Sequence, residues 1–565
     1  MDSIPTLSMA TIIPTELMAG RPRGLTLAVA APAVAVAVLL SACGGGDTPG
    51  STPTVARPSP TATATPPSAS PTPLAGALDL ATEGALVTVY GIDGGDFSNG
   101  FSTLAVGDFN DDGKPDLLIG APFADGPDNA REDAGEAYVV YGRDQWPPTL
   151  DLAGGERALT IYGASGGDNL GTMVLAADIN GDDVDDVIVG APGVTAGADL
   201  RTDQGRVYVF FGSAKLKGEL DLTQDPQNFV VTGAEGFSRL GQALASGDVN
   251  DDGIADLIMG ALFAGREPGS PPGSPRTEAG EMYVVFGSRS LSGEVATTFG
   301  EYDFAATGSQ RLGQFGIAVA AGDVDGDGVA DIIVGSPQAD PNDKRDGAGA
   351  VYVFLGHSGL SGRLFIEKGE QDSVILGAHT GDSLGYPLAV ADLDGDGIDD
   401  IVAGARTGGD PQGAGQASGA AVVLFGGRDL DDAIDLASAP AGAVLYGAGP
   451  SDLIPASLSL PDLTGDGLAD ILLATVTGPQ GRRSAGAVYL IAGGAALSGS
   501  LPLGSSAVFS VMGALEDDQL GAALAPLPPA PGATPEFFVL ASGADGPGDA
   551  RPDSGEILLI KVPPP

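Results

Sequence analysis

Six stretches of nine residues place oxygen-bearing side chains at alternate positions, which is a pattern that can hold a metal ion. The first carries Asp108, Asn110, Asp112 and Asp116 at positions one, three, five and nine, and the second carries Asp178, Asn180, Asp182 and Asp186. Asp248, Asn250, Asp252 and Asp256 form the third, Asp323, Asp325, Asp327 and Asp331 the fourth, and Asp392, Asp394, Asp396 and Asp400 the fifth. In the sixth, Asp462, Thr464, Asp466 and Asp470, a hydroxyl replaces the acid or amide at position three, which makes it the weakest match. Carboxylates crowded this closely repel one another unless a cation neutralises them. Calcium takes about six to eight oxygens in flexible geometry, and alternating acids with a glycine at position six let a tight loop aim them at one centre. Gly113 and Gly253 stand at that position, and the carbonyl of position seven would add a further oxygen. An EF-hand is excluded, because position twelve is not Glu and no helical pattern flanks the loops. Magnesium keeps more of its water and fits less well. One such loop alone would read as an Asp/Asn/Gly turn. Six in register point to calcium at up to six sites.

The loops account for 25 of the 74 acidic residues, which outnumber 26 basic ones and leave a formal charge of -48. Such a field repels phosphate backbones and anionic headgroups, so nucleic acid is excluded as a partner. Glycine (89) and proline (43) are abundant and aromatic residues are sparse, which favours strands and turns over helices.

The loops begin at Asp108, Asp178, Asp248, Asp323, Asp392 and Asp462, at intervals of 70, 70, 75, 69 and 70 residues. A seventh copy without the acids starts near Leu515, where Gln519, Leu520 and Gly521 match Asn169, Leu170 and Gly171. A period this regular indicates one supersecondary unit repeated in a stack or ring. Within the second unit, short apolar runs at Met173 to Ala176, Val187 to Val189, Val207 to Phe211 and Phe229 to Val231 predict four strands and no helix. The expected fold is therefore all-β, a seven-bladed propeller over residues 76–565. Leu86 to Gly91 copies the fourth-strand segment Leu159 to Gly163, while Glu556 to Lys561 matches a third strand with no fourth after it. The N-terminal strand is thus expected to complete the last blade and remove two exposed edges.

Leu240-Gly241 followed by Gly247 through Asp256 and Gly260 resembles an FG-GAP repeat, as does Phe315-Gly316 through Gly335, Ser336 and Pro337. Gly120-Ala121-Pro122 and Gly190-Ala191-Pro192 reproduce the GAP element. Repeats of this kind form the N-terminal propeller of integrin α subunits and the propeller of glycosylphosphatidylinositol-specific phospholipase D. The pattern is departed from at Gly100-Phe101, at Ile454-Pro455 with Ala474-Thr475, and in the acid-free seventh unit. The resemblance implies that the calcium loop joins the first two strands of a blade, plays a structural role, and faces away from the ligand surface. Ligands would then meet the loops joining second to third strands, among them Asp125, Asp128, Arg131 and Asp133, then Asp340, Asp343, Lys344, Arg345 and Asp346, and last Asp545, Asp549, Arg551 and Asp553. Ordinary solvated loops share that composition.

Arg21 and Arg23 precede an apolar run from Leu25 to Leu40, and Leu40-Ser41-Ala42-Cys43 resembles the lipobox of bacterial lipoproteins. Residues 1–43 then form a signal segment, with Cys43 as the lipidated residue. A plain transmembrane anchor is the other reading, against which Pro32 interrupts the run and no basic cluster follows it. Residues 44–75 are rich in Pro, Thr, Ser and Ala and read as an extended spacer. Cys43 is the only cysteine, so no disulfide forms within the chain. Nucleophile-elbow, P-loop and zinc-protease patterns are missing, and His357 and His379, the two histidines, read as surface-loop residues. The expected function is a calcium-stabilised, non-catalytic binding or adhesion module. It would be monomeric, held at the cell surface or outer membrane by lipid alone, and would recognise a protein or polysaccharide. The alternative is an extracellular hydrolase acting on glycans or on phospholipid or glycosylphosphatidylinositol substrates.

Overall fold

A run that is apolar at nearly every position cannot present one face to water, so it must be covered on both sides. Asp116–Ala121, Asp186–Ala191, Asp256–Ala261, Asp331–Ser336 and Asp400–Ala405 are such runs, and each is a second strand buried along its whole length. In the computed structural model the described residues form seven sheets of five strands each, and these runs lie in five of them. The structure describes residues 76–563 apart from short loop segments, among them 98–102, 196–202, 266–277, 409–417, 476–481 and 546–550. Cys43 and the rest of residues 1–75 lie outside the described residues. No helix among the described residues is long and apolar enough to cross a membrane.

The first blade runs Leu104–Gly107, Asp116–Ala121, Glu136–Val140 and Leu159–Tyr162, each antiparallel to the one before. Blades two to seven open on Met173–Ala177, Ala243–Gly247, Val319–Gly322, Leu384–Ala391, Leu458–Ser459 and Leu520–Pro526. Neighbouring sheets pack face to face, and each junction holds its own apolar cluster. Leu118 and Ile161 of the first blade meet Val189 and Tyr208 of the second, while Leu540 and Leu559 of the seventh meet Ile119 and Tyr138 of the first. That last cluster closes the seven-bladed ring, and Val87–Tyr90 pairs antiparallel with Glu556–Lys561 as its fourth strand.

Four strands per blade is one too few. A fifth, outer strand pairs parallel with the fourth and comes from the connection between third and fourth strands of the following blade. Gly218–Asp221 of the second blade lies on Leu159–Tyr162 of the first in this way, and Gly362–Phe365 of the fourth lies on Phe304–Thr307 of the third. Each blade therefore clasps the one before it. At the seam, Ala77–Asp79 lies on Phe509–Met512 of the sixth blade, so the N-terminal segment joins the ring at two places.

The outer strands are fastened by arginines. Arg131 donates to both carboxylate oxygens of Asp221, at 3.0 and 2.5 Å, and to the carbonyl of Gly163 at the end of the fourth strand. Arg345 grips Asp435 and Gly377 in the fourth blade, Arg482 grips Asp79 and Gly513 in the sixth, and Arg551 grips Asp151 and Gly91 in the seventh. Three of these arginines, Arg131, Arg345 and Arg551, lie in loops read from sequence as possible ligand contacts, and the structure turns them onto their own blades. The bonds from Arg131 hold the Asp221 carboxyl down at about 2. Because this pKa is lowered on folding, its stabilisation is complete above the ordinary value near 3.8 and disappears as pH falls through about 2. Acid unfolding of Asp221→Asn against the unaltered chain should show a deficit of about 1–2 kcal/mol above pH ~4 that shrinks toward pH ~2.

Candidate metal centres

Each acidic loop joins the first strand of a blade to the second, so all six open on the same rim of the ring. Position two anchors the loop: Phe109, Ile179, Val249, Val324, Leu393 and Leu463 are all buried. From there the loop is a cup graded in depth. Asp116, Asp186, Asp256, Asp331, Asp400 and Asp470, at position nine, are 0–1% exposed, whereas the position-five acids Asp112, Asp182, Asp252, Asp327, Asp396 and Asp466 face solvent.

Main-chain N–H groups orient the acids. Asp108 accepts from Asp112 and Gly113 at 3.1 and 2.7 Å, and Asp323 accepts from Gly326, Asp327 and Gly328. Position five accepts from position seven, as in Lys114 to Asp112 at 3.0 Å and Val329 to Asp327 at 2.9 Å. At the base, Asp116 accepts from Phe109 and Gly142, and Asp331 from Val324 and Gly356, both at 2.8 Å. The glycine following the third strand recurs as Gly142, Gly212, Gly287, Gly356, Gly426 and Gly493 for a steric reason. A Cβ there would come within 2.1–2.4 Å of the carbonyl at position eight. This recurrence is visible in the sequence, yet its role in holding the buried acid is not.

Adjacent loops also touch. Asp185 and Asp399, at position eight of the second and fifth loops, accept from the N–H of Asp108 and Asp323 in the preceding blades at 2.9 and 3.0 Å. Ala330, Asp399 and Ala469 donate their N–H groups to the carbonyls of Asp248, Asp323 and Asp392. The first loop is thus bonded to the second, and the third through sixth form a hydrogen-bonded series, so what orders one loop bears on its bonded neighbour.

Two observations fit a cation. In the third loop Asn250 donates its amide N–H to Asp256 at 3.2 Å, which leaves its Oδ1 buried with no hydrogen-bond partner. A buried unsatisfied acceptor is costly, and a cation would satisfy it. Carboxylate oxygens of Asp323, Asp325 and Asp327 lie within 4.8 Å of one another, and so do those of Asp392, Asp394 and Asp400. Asp331 and Asp396 fall outside these two groups. The first, second, third and sixth loops, with Asn110, Asn180, Asn250 or Thr464 at position three, bring no three carboxylates that close among the described residues. In the first two, the Asn amide donates to Asp116 or Asp186, and in the sixth the Thr464 hydroxyl lies 3.3 Å from Asp470.

Burial, reinforced by the neighbouring acids and opposed by the backbone N–H groups, pushes the position-nine carboxyls up, to about 6 for Asp116 and Asp400 and about 7 for Asp186, Asp256 and Asp331. Asp470 is raised for the same first cause. The two ends of the cup should therefore respond differently to substitution. Asp331→Ala strands the Val324 and Gly356 N–H groups and should lower stability by about 1–3 kcal/mol even in chelator. Asp327→Ala, at the exposed lip, should leave the melting temperature in chelator nearly unchanged and reduce only the gain on adding calcium. Thermal melts of both variants with and without calcium check this.

Five segments, residues 100–140, 170–210, 240–285, 315–354 and 384–424, match the FG-GAP repeat, and these are the first five blades from the first strand through the third. The chain is 28% identical to human phosphatidylinositol-glycan-specific phospholipase D over 314 residues, which is 53% of this chain and 34% of that protein. It is 31% identical over 259 residues to integrin alpha pat-2 of Caenorhabditis elegans, and 29% identical over 250 residues to integrin alpha-5 of Xenopus laevis. Those stretches cover 44% and 41% of this chain and 19% of each integrin. The chain thus spans between about a fifth and a third of the length of these curated relatives.

Proposed function

Starting from a chain that carries five FG-GAP repeats on a closed seven-bladed propeller, we propose that it is a calcium-stabilised binding module acting outside the cytoplasm. Calcium would sit in the six rim loops, held by the acids and amides at positions one, three, five and nine. Its chemistry there is neutralisation: it offsets the mutual repulsion of the acids and meets the Asn250 oxygen that the chain leaves unpaired. The chain's own part is to hold those oxygens in place through the loop N–H groups and the buried position-two side chains.

The observation that carries this reading is the burial of a carboxylate in every one of the six loops, fixed by the same pair of backbone donors each time. With the acids gathered at one rim, the opposite rim is left to the loops between second and third strands and those entering each blade, and it is there that a protein or polysaccharide would bind. We assign residues 1–43 to an export signal ending at lipidated Cys43, and residues 44–75 to a spacer that sets the propeller off from the membrane. The similarity to phosphatidylinositol-glycan-specific phospholipase D favours hydrolysis of a glycan or phospholipid as the second reading. Presenting the calcium-loaded chain to arrays of glycans and surface proteins, and assaying the same panel with phospholipids for turnover, separates the two. Saturable binding without turnover is expected. Turnover abolished by a single carboxylate substitution would contradict the binding reading.

A further inference from the structure

Tyrosines plug five of the seven blade junctions from the same place. Tyr138, Tyr208, Tyr283, Tyr352 and Tyr489 stand at the third-strand position paired with Ile119, Val189, Met259, Val334 and Leu473 of the second strand. Each joins the cluster between its own blade and the one before it, as Tyr208 does between first and second blades and Tyr283 between second and third. The two exceptions are Val422, paired with Ala403 in the fifth blade, and Leu558, paired with Val539 in the seventh. Cavities open at both junctions, and a smaller one of 120 Å³ lies beside Tyr138 where the seventh blade meets the first. The one beside Val422 measures 380 Å³ and the one beside Leu558 measures 160 Å³.

The larger cavity also lacks the carboxylate that meets the tyrosine hydroxyl at two of those junctions. Tyr138 donates to Glu136, and Tyr283 to Glu281, two residues earlier on the same strand, whereas the residue two before Val422 is Ala420, as it is Ala350 before Tyr352 and Ala487 before Tyr489. Leu384, Ala405, Ala420 and Val422 form buried wall, with Leu436 and Val444 half-buried beside them. The polar side chains of the lining are His379, whose side chain is 74% exposed and 3.3 Å from Asp382, Asp382 itself and Ser500. A volume of 380 Å³ falls within the range of about 300–1,000 Å³ usual for small-molecule pockets.

We propose that the cavity between the fourth and fifth blades binds a small aromatic molecule, whose ring takes the place held by a tyrosine ring at five other junctions and whose polar end faces His379 and Ser500. The site is independent of the calcium reading and of the partner surface. The probe is p-cresol, the tyrosine side chain without its backbone, added to the whole calcium-loaded chain and followed by methyl NMR. Saturable shifts confined to the methyls of Leu384, Val422, Leu436 and Val444 are expected. Val422→Tyr, which restores the plug, and Ala420→Leu, which fills the cavity from the adjacent wall, should each weaken binding at least roughly tenfold. Absence of saturable shifts up to the solubility limit of p-cresol overturns the proposal. Unchanged affinity in whichever of the two variants folds overturns it as well.

Discussion

Removing divalent cations with a chelator is expected to lower the melting temperature of this protein more than any single substitution does. A ligand that binds only the folded state stabilises it by RT ln(1 + [L]/Kd), or about 2.7 kcal/mol per site at a hundred times Kd, and six sites would act together. The pH dependence should change along with the magnitude. Without a cation, the position-nine carboxyls sit at about 6 to 7 in the folded chain and near 3.8 when unfolded. The folded state then binds more protons between those values, so stability is highest below about pH 4 and is lost as pH rises through 6 to 7. A bound cation favours the ionised form and removes that loss. Melts from pH 4 to 8 should accordingly slope downward in chelator and stay nearly flat in calcium. Equal slopes in the two conditions would count against occupied loops.

The second large effect concerns a glycine of the repeat motif. A Cβ on Gly335 would lie 1.9 Å from the carbonyl oxygen of Gly385, because the second strand of the fourth blade presses directly on the backbone entering the fifth. Gly120 meets Gly171, and Gly260 meets Gly316, in the same manner. No side chain can move aside, since both partners are backbone, so Gly335→Ala should cost about 3 kcal/mol or more. Gly300 gives the comparison. It has φ +72° with open space around it, and Gly300→Ala should cost only the left-handed backbone penalty of about 1–2 kcal/mol. Denaturant unfolding of the two variants checks the difference. A similar loss in both would mean that conformation rather than blade contact makes these glycines necessary.

What could be read from the sequence was what is local and repeated. The acid spacing and the third strand at Glu556 to Lys561 lie within short windows, the loops recur at a near-constant interval of about 70 residues, and together they gave the blade count and the closure at Val87–Tyr90. The sixth loop was legible too, although the repeat match ends at residue 424, because Asp462, Asp466 and Asp470 keep their spacing. The outer strands were not. Gly218–Asp221 is short and largely exposed, and its partner lies about 60 residues earlier in another blade, so no apolar period marks it. Arg131 and Asp221 are 90 residues apart, and nothing near Arg131 shows that it turns inward. Within the loops, spacing alone could not distinguish the buried position-nine acid from the exposed position-five acid. That difference comes from the glycine after the third strand, which reaches the loop only once the blade is assembled.

Bound-metal stoichiometry tests most directly whether cations neutralise the crowded rim acids. The folded chain should be dialysed to equilibrium against buffered calcium, and the calcium retained per chain measured by elemental analysis. Close to six ions per chain is the predicted result, falling toward five when Asp323 and Asp327 are both replaced by Ala. A folded chain that retains none would contradict it.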